Sequence, residues 1–479
     1  MAISFRVLRL CLLTIAFTSF GGARPLNVVL FVVDDFGAYD VSYAGSSVYE
    51  TPEIDRLAAD AVQFTQAYSA YPRCVPSRFG LMTGTHPSRA EGMGEQLGDM
   101  EPSRVTLAEA LKAQGYATFF AGKWHLGKEA SRWPQGQGYD VNIAGGSAGA
   151  PGSYFAPYQP NGNLIGPETL DAPAGEYITD RLTTETVDYI QKVSQTDQPF
   201  FVTLCHYAVH TPIEGKPEKT ARYQTKIEAL KFEGDDYEVT PDGRHLRHQS
   251  NAEYAGMIES VDESLGRVVA TLKALGIYDD TLIVFTSDHG GLSNSGPSSK
   301  RALATTNFPL RAGKGHLYEG GIRVPMIVRW PGVTVSGASF DGPTTGLDVF
   351  PTVLDMLGLP TPAEATLDGM SVAASLRDGG NVAPERPLFW YSDRGRRAST
   401  GDRNAAVIRR GDYKLVQFFT EARVELYHLK NDPSETHDLA ATETAIRDAL
   451  LAELAAWKAA MKVKDRKQEK SRAGPDYDF

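Results

Sequence analysis

Three short segments carry residue types able to do chemistry together: Asp34-Asp35, Cys74-Val75-Pro76-Ser77-Arg78 and Asp288-His289. Cys74 sits among Pro72, Arg73, Pro76 and Arg78, a basic polar setting unlike the apolar runs in which packing cysteines lie. A thiolate or an oxidised derivative of this side chain meets positive charge there. The alternatives are a free turn cysteine and a bridge to Cys205. Asp34, Asp35 and Asp288 are hard oxygen donors, and three carboxylates gathered without a counter-ion repel one another and raise their own pKa values. A divalent cation removes that penalty. The donor types leave the ion open among Zn, Mg and Ca, because His289 leans towards Zn and the three acids towards Ca or Mg. Taken alone, Asp34-Asp35 is also consistent with a cap or solvated turn.

The elements that must bring these residues together are readable as well. Val28-Val29-Leu30-Phe31-Val32-Val33 is a continuous apolar run of the kind found in buried parallel strands, and it ends directly in Asp34-Asp35. Leu282 to Thr286 runs through Ser287 into Asp288-His289; Phe200 to Leu204 leads towards His210; Tyr116 to Phe120 leads into Gly122-Lys123-Trp124-His125. Four strands delivering polar residues at their C-terminal ends place a site where open α/β sheets build theirs. Helical segments are expected at Glu53 to Ala61, Thr106 to Gln114, Tyr177 to Val193, Ala252 to Leu275 and Asp348 to Leu357. The fold class is α/β, a large, mainly parallel sheet flanked by helices. Ala405 to Arg410, Tyr413 to Phe419 and Val424 to Leu429 then form a smaller C-terminal antiparallel sheet, with a helix from Ala440 to Met461. The expected divisions are 1–23, 24–383 and 384–479.

Arg6 and Arg9 precede an apolar stretch from Leu10 to Phe20 and small residues at Gly21-Gly22-Ala23, the pattern of a cleaved signal peptide too short to span a bilayer. Cys11 leaves with it, so Cys74 and Cys205 are too few for a disulfide scaffold. The chain has no Asn-x-Ser/Thr acceptor, which favours a secreted or periplasmic bacterial protein over a eukaryotic one. A formal net charge of −11 argues against general nucleic-acid binding and requires any anionic substrate to be held by a locally positive pocket.

Asp34-Asp35, Cys74-x-Pro-Ser-Arg78, Gly122-Lys123-Trp124-His125-Leu126-Gly127, His210, Thr286-Ser287-Asp288-His289-Gly290 and Lys314-Gly315-x-x-Tyr318-Glu319-Gly320-Gly321-x-Arg323-Val324-Pro325 resemble the motif set of the type I sulfatases, in their usual order. The resemblance implies that Cys74 is converted to formylglycine by a maturation enzyme. It also implies one Ca²⁺ per chain, held by Asp34, Asp35, Asp288, His289 and an oxygen of the residue derived from Cys74. His289 stands where many members carry Asn. The hydrated aldehyde is implied to offer the nucleophile, with Asp288 favouring its deprotonation and Arg78 orienting it. Lys123 and Lys314 are implied to grip the sulfate, His210 to protonate the leaving oxygen, and His125 to deprotonate the hydroxyl that expels sulfate.

His206 competes with His210 by spacing, but Thr211-Pro212 favours His210, and Cys205 reads as a buried residue at a strand end. Asn307, Arg311 and His316, with Arg323, flank Lys314 and are candidates for touching sugar hydroxyls or a second sulfate. The stretches Gly145 to Pro173 and Gly215 to Arg247 are candidate pocket walls. The second mixes Lys216, Lys219, Lys226 and Lys231 with acids, so it does not read as a polyanion track. The expected substrate is a sulfated saccharide, with no nucleic acid and no stable membrane insertion. The rivals are phosphate- or phosphonate-ester hydrolysis in the same superfamily, and an inactive sulfated-glycan-binding protein.

Overall fold

The computed structural model describes residues 24–92, 97–158, 170, 173–297, 299–379 and 385–467. The expected signal peptide, much of the Gly145 to Pro173 stretch, the 383/384 division and the end of the chain lie outside the described residues.

The all-apolar run after Asn27 is buried on both faces. Val29, Phe31 and Val33 enter one hydrophobic core, whereas Val28, Leu30 and Val32 enter another. Alternation along one strand therefore divides the large unit into two helical layers around a sheet. The strands are β1 (Asn27–Val33), β2 (Val62–Phe64), β3 (Ala117–Gly122), β4 (Val141–Ile143), β5 (Phe200–Cys205), β6 (Thr281–Ser287), β7 (Met326–Arg329) and β8 (Ser339–Phe340). They form one sheet in the order β8-β2-β7-β6-β1-β5-β3-β4. All pairings are parallel except those of β7, which runs antiparallel to both β6 and β2.

Helices Ile178–Val193 and Ala252–Ala274 cover the first core, and Cys74–Thr83, Leu107–Ala113 and Val349–Met356 cover the second. Sequence signals locate two of their starts. Thr106 and Glu109 make a reciprocal capping box, and the Asn251 side chain accepts from the Tyr254 N–H.

Register decides where the site lies. Val33 pairs with Ser287, and Cys205 pairs with both Val32 and Gly122, so Asp34 and Asp288 leave the sheet side by side, with Lys123 and His206 one residue below them. β1 is the central strand from which the chain departs in both directions, the crevice where ligands bind in open α/β sheets.

The C-terminal sheet has four strands, β9 (Leu388–Ser392), β10 (Ala405–Arg410), β11 (Tyr413–Phe418) and β12 (Arg423–His428), all antiparallel. One strand more than the sequence indicated is present, because β9 joins β10 through a long loop with no tight-turn signal. The final helix begins at Thr444 and not at Ala440. Residues before it are used as a clasp on β12: Leu439 N–H donates to the Leu426 carbonyl, and Asp438 accepts from the Leu426 and Ala440 N–H groups. One face of this sheet packs under the helix through Ile408, Leu415, Leu426 and Leu454. The other packs onto Tyr68, Leu317, Tyr318 and Ile322 of the large unit through Val407, Val416 and Tyr427.

Candidate active site

Cys74 opens a helix whose first turn supplies three functional groups on one face, at positions i, i+3 and i+4. Ser77 Oγ donates to the Asp288 carbonyl at 2.5 Å. Arg78 Nε donates to Asp288 Oδ2 at 3.0 Å, its Nη1 to the Lys123 carbonyl at 2.8 Å, and its Nη2 lies 3.4 Å from Asp34 Oδ1. The fully buried guanidinium therefore ties the cysteine helix to three strand ends. Burial opposes its charge, but Asp288 and Asp34 outweigh burial and raise its pKa further.

Cys74 and Cys205 are both free and buried, so no bridge joins them. Burial pushes the Cys74 thiol up, yet Lys123, His125 and hydrogen bonds with His125 and His289 bring it well below the ordinary thiol range. Cys205 is the inert counterpart, pushed up to about 12 by burial.

Asp34, Asp35, Asp288 and His289 converge, with one ligand atom from each lying within 4.8 Å of the others. The β1 ladder holds the first acid, through Asp34 N–H to the Ala208 carbonyl and Val209 N–H to the Asp34 carbonyl. Asp35 adopts φ 59°, which turns its carboxylate back over the sheet, and the Tyr254 hydroxyl donates to its carbonyl at 3.2 Å. His289 Nδ1 lies 3.0 Å from the Gly290 carbonyl, which fixes the proton there and aims the Nε2 lone pair inward. Asp34 Oδ1, Asp35 Oδ1 and His289 Nε2 are buried without hydrogen-bond partners. Three orphaned donors facing one point fit a cation, whose charge would satisfy all of them.

Lys123 Nζ lies 2.5 Å from Asp34 Oδ2, and Lys314 Nζ lies 2.9 Å from Asp35 Oδ2. Lys123 can turn in because Gly122 has φ 104°; a side chain there would meet the Cys205 carbonyl oxygen at 1.8 Å. Likewise, a Cβ at Gly149 would meet the His125 ring at 2.5 Å, so glycine is what lets that imidazole stand beside Cys74. Three carboxylates face three fixed cations, Arg78, Lys123 and Lys314, so a bound divalent ion leaves the cluster net positive. That balance suits a tetrahedral oxyanion.

His210 is buried, with Nδ1 2.8 Å from the Thr211 carbonyl and Nε2 3.9 Å from Asp35 Oδ2. Burial and then Lys314 lower its pKa. His206 points elsewhere: its Nε2 meets Ser264 Oγ at 2.8 Å under the sheet, and burial lowers it to about 3. Of the two, His210 is the one that lies beside Asp35.

The residues flanking Lys314 are less directly disposed. Asn307 Nδ2 lies 2.9–3.2 Å from the Gly291 and Ala312 carbonyls and Ser293 Oγ, which fixes the turn behind His289. Arg311 lies 3.7 Å over the Tyr318 ring and donates to the Tyr427 hydroxyl, and His316 Nε2 lies 2.9 Å from the Thr400 carbonyl. These last two are committed to the seam with the C-terminal sheet. Arg323 binds Glu319 and the Tyr68 hydroxyl in the same seam. Residues without an individual role in the sequence analysis also shape the site. Arg73 donates to Thr400 and Asp402 of the C-terminal unit, each at 2.7 Å, and Ser287 Oγ accepts the Phe36 N–H.

The sulfatase family model matches residues 26–359, and a model of the N-sulphoglucosamine sulphohydrolase C-terminal region matches residues 312–460. The N-acetylgalactosamine-6-sulfatase of Mus musculus is 30% identical over 398 residues, covering 78% of this chain and 69% of its own length. A sulfatase of Formosa agariphila is 30% identical, with 87% and 84% covered. Among solved structures, Ps i-CgsB in complex with k-i-k-neocarrahexaose is 28% identical with a TM-score of 0.76, and 94% of this chain and 96% of that one are covered. By family match, relatives and fold together, this chain belongs to the sulfatase family of the alkaline-phosphatase-like superfamily.

Proposed function

We propose that the protein hydrolyses sulfate esters of a sulfated carbohydrate, with Cys74 matured to formylglycine and one Ca²⁺ bound by Asp34, Asp35, Asp288 and His289. The observation that carries this reading is the meeting of Cys74 with three orphaned ligand atoms and three cations at one strand end. Kinship with the mouse enzyme and with a structure holding neocarrahexaose supports a saccharide substrate. Among the described residues metal ligands converge in one cluster, which supports single-cation sulfate chemistry over a two-metal phosphoryl-transfer site. In the same reading residues 24–383 form the catalytic unit, 384–479 complete it, and the protein is exported or periplasmic.

A cation held by Asp34, Asp35, Asp288 and His289 would supply positive charge to the sulfuryl oxygens and to the nucleophile, which the hydrated aldehyde derived from Cys74 would provide. The chain's own residues do the rest. Lys123 and Lys314 hold the anionic oxygens before and during transfer. Arg78, locked between Asp34 and Asp288, orients the residue at position 74. His125 receives a proton at that residue. The His210 proton on Nδ1 is fixed by Thr211, so a second proton at Nε2 is the one available to a departing alcohol oxygen. Its low pKa makes that proton scarce in the free protein, and a bound sulfate restores it by placing negative charge nearby.

The test is sulfate release from defined sulfated saccharides by protein made in a host able to mature Cys74. Turnover that disappears in Cys74→Ala supports the reading. Full turnover in that variant, or hydrolysis of phosphate esters alone, overturns it.

A further inference from the structure

His210 stands at the end of a turn, where its N–H donates to the Tyr207 carbonyl at 3.0 Å. The contact of Nδ1 with the Thr211 carbonyl fixes the ring only against its own chain, so the reach of Nε2 towards Asp35 is set by where the backbone of residues 207–210 sits. One side of that turn is tied to the end of β1, through Val209 N–H to the Asp34 carbonyl at 2.8 Å and Asp34 N–H to the Ala208 carbonyl at 2.9 Å. The other side meets Tyr154. Its hydroxyl lies 2.7 Å from the Tyr207 carbonyl and 2.8 Å from the His210 carbonyl, so one O–H bridges both ends of the turn.

Tyr154 is fully buried and is itself fastened on several sides. Its N–H donates to Glu214 Oε2 at 2.7 Å, and Ser153 Oγ donates to the same oxygen at 2.8 Å. Its carbonyl accepts the Ile178 N–H, at the start of helix Ile178–Val193, and its ring packs against that of Tyr177, whose hydroxyl donates to the Glu214 carbonyl. Glu214 follows His210 by four residues, so the chain leaving the turn is bound to the residue that bridges it. The Tyr207 hydroxyl returns the contact by donating to the Ala144 carbonyl at 3.0 Å. Segment 144–154 therefore begins and ends on the His210 turn. Between those two points the Gly146 carbonyl accepts the His125 N–H, and Gly149 lies against the His125 ring. Buried this way, the phenol has no water to take its place, and a carbonyl stripped of its donor shifts the backbone that carries it.

We infer that Tyr154 is a positioning residue for His210: by bridging the Tyr207 and His210 carbonyls, its hydroxyl holds the imidazole where a departing alcohol oxygen can take the Nε2 proton. The inference rests on the proposed acid role of His210. Tyr154 moves no proton itself, since burial pushes its hydroxyl well above the ordinary phenol range and keeps it a neutral donor. Proton transfer to a leaving group tolerates little displacement, and a shift of about 1 Å is enough to forfeit much of the acid's contribution. The contact with the His125 N–H lies at Gly146, at the other end of the segment, so loss of the Tyr154 hydroxyl bears first on the step that His210 serves.

The experiment measures kcat/KM for 4-nitrophenyl sulfate, phenyl sulfate and a sulfated sugar in matured wild type, Tyr154→Phe, His210→Ala and the double variant. Phenylalanine keeps the ring and its packing and removes the hydroxyl alone. In Tyr154→Phe the loss on the sugar ester should exceed that on 4-nitrophenyl sulfate about tenfold, a part of what a general acid supplies. In the His210→Ala background the same substitution should cost the sugar ester less than about twofold more, because the group it positions is gone. Equal loss for every leaving group, or a loss that multiplies fully with that of His210→Ala, overturns the positioning role. If Tyr154→Phe does not fold, Glu214→Ala, which frees the Tyr154 N–H and leaves the hydroxyl, is put through the same two comparisons. Absence of sulfate ester turnover in matured wild type would instead contradict the proposed reaction. The positioning is then read without turnover, in histidine-labelled Cys74→Ala followed by NMR, with the His210 ring signals assigned by their loss in His210→Ala. Adding Tyr154→Phe should move those signals and leave the His206 signals in place; unmoved His210 signals reject the inference.

Discussion

Val33 and Ser287 are side-by-side partners in adjacent parallel strands, so Asp34 and Asp288 emerge together and the single Arg78 guanidinium reaches both. The chain of close contacts then runs through Lys123, Asp34, Arg78 and Asp288 to His289, Asp35 and Lys314, with the His289 Nε2 lying between Asp288 and Asp35. Each acid has a cation close to one oxygen, and Asp34 Oδ1, which Arg78 approaches only at 3.4 Å, and Asp35 Oδ1 are left without a hydrogen bond.

Cation binding should follow from those orphans. Asp34→Ala or Asp288→Ala should weaken Ca²⁺ binding by roughly two orders of magnitude, the equivalent of ~3 kcal/mol. Calorimetric titration of chelator-treated protein checks this, and elemental analysis should give one ion per chain. Two zinc ions per chain would move the assignment to phosphoryl chemistry.

His210→Ala should harm esters of poorly acidic sugar alcohols far more than nitrophenyl sulfates, whose leaving anions need little proton assistance. Lys123→Ala should depress both. Because burial and Lys314 hold His210 below the ordinary histidine range, its protonated fraction in the free protein falls as pH rises through that lower value. The kcat/KM for an unactivated ester should therefore lose an alkaline-side dependence in His210→Ala. An equal loss across a graded leaving-group series, with chemistry rate-limiting, would remove the acid role.

How far the sequence reveals this site depends on the range of the interactions. The apolar runs ending in Asp34-Asp35, Lys123 and Asp288-His289 are local signals, and parallel register alone brings their ends together. The reversed direction of β7 and the strand status of Leu388–Ser392 depend on partners distant in sequence or across a long loop. Arg311 and His316 carry the right chemistry for a substrate contact, but Tyr318, Tyr427 and Thr400 claim them, and no spacing rule announces such partners.

His206 should tie stability to pH. Its native value of about 3 lies below the ordinary 6.5, so the unfolded chain binds a proton that the folded protein refuses between those values. Stability is fully present above pH 6.5 and declines as pH falls towards 3, by up to ~1.4 kcal/mol per pH unit from this group. Urea unfolding at several pH values should show that slope reduced by one proton in His206→Gln. An unchanged slope would mean that His206 titrates normally.

The seam between the two units should be intolerant of single changes. Lys414 is fully buried between Glu319 at 3.0 Å and Glu435 at 2.8 Å, and Glu435 also accepts the Glu319 N–H. Lys414→Met leaves Glu435 buried without its ammonium partner and Glu319 with Arg323 alone, and should cost about 3–5 kcal/mol. Adding Glu435→Gln should recover part of it. Thermal unfolding of the single and double variants checks the order, and a single variant as stable as wild type would contradict it.

In the proposed reaction Cys74 is a precursor and not the working group. The most direct measurement is the mass of the peptide carrying position 74, taken from a preparation whose sulfate release per mole of protein has been determined. The predicted result is the loss expected for thiol-to-aldehyde conversion, in a fraction that tracks specific activity across preparations made with and without a maturation enzyme. Full activity from protein in which that peptide carries only the unmodified thiol would contradict it.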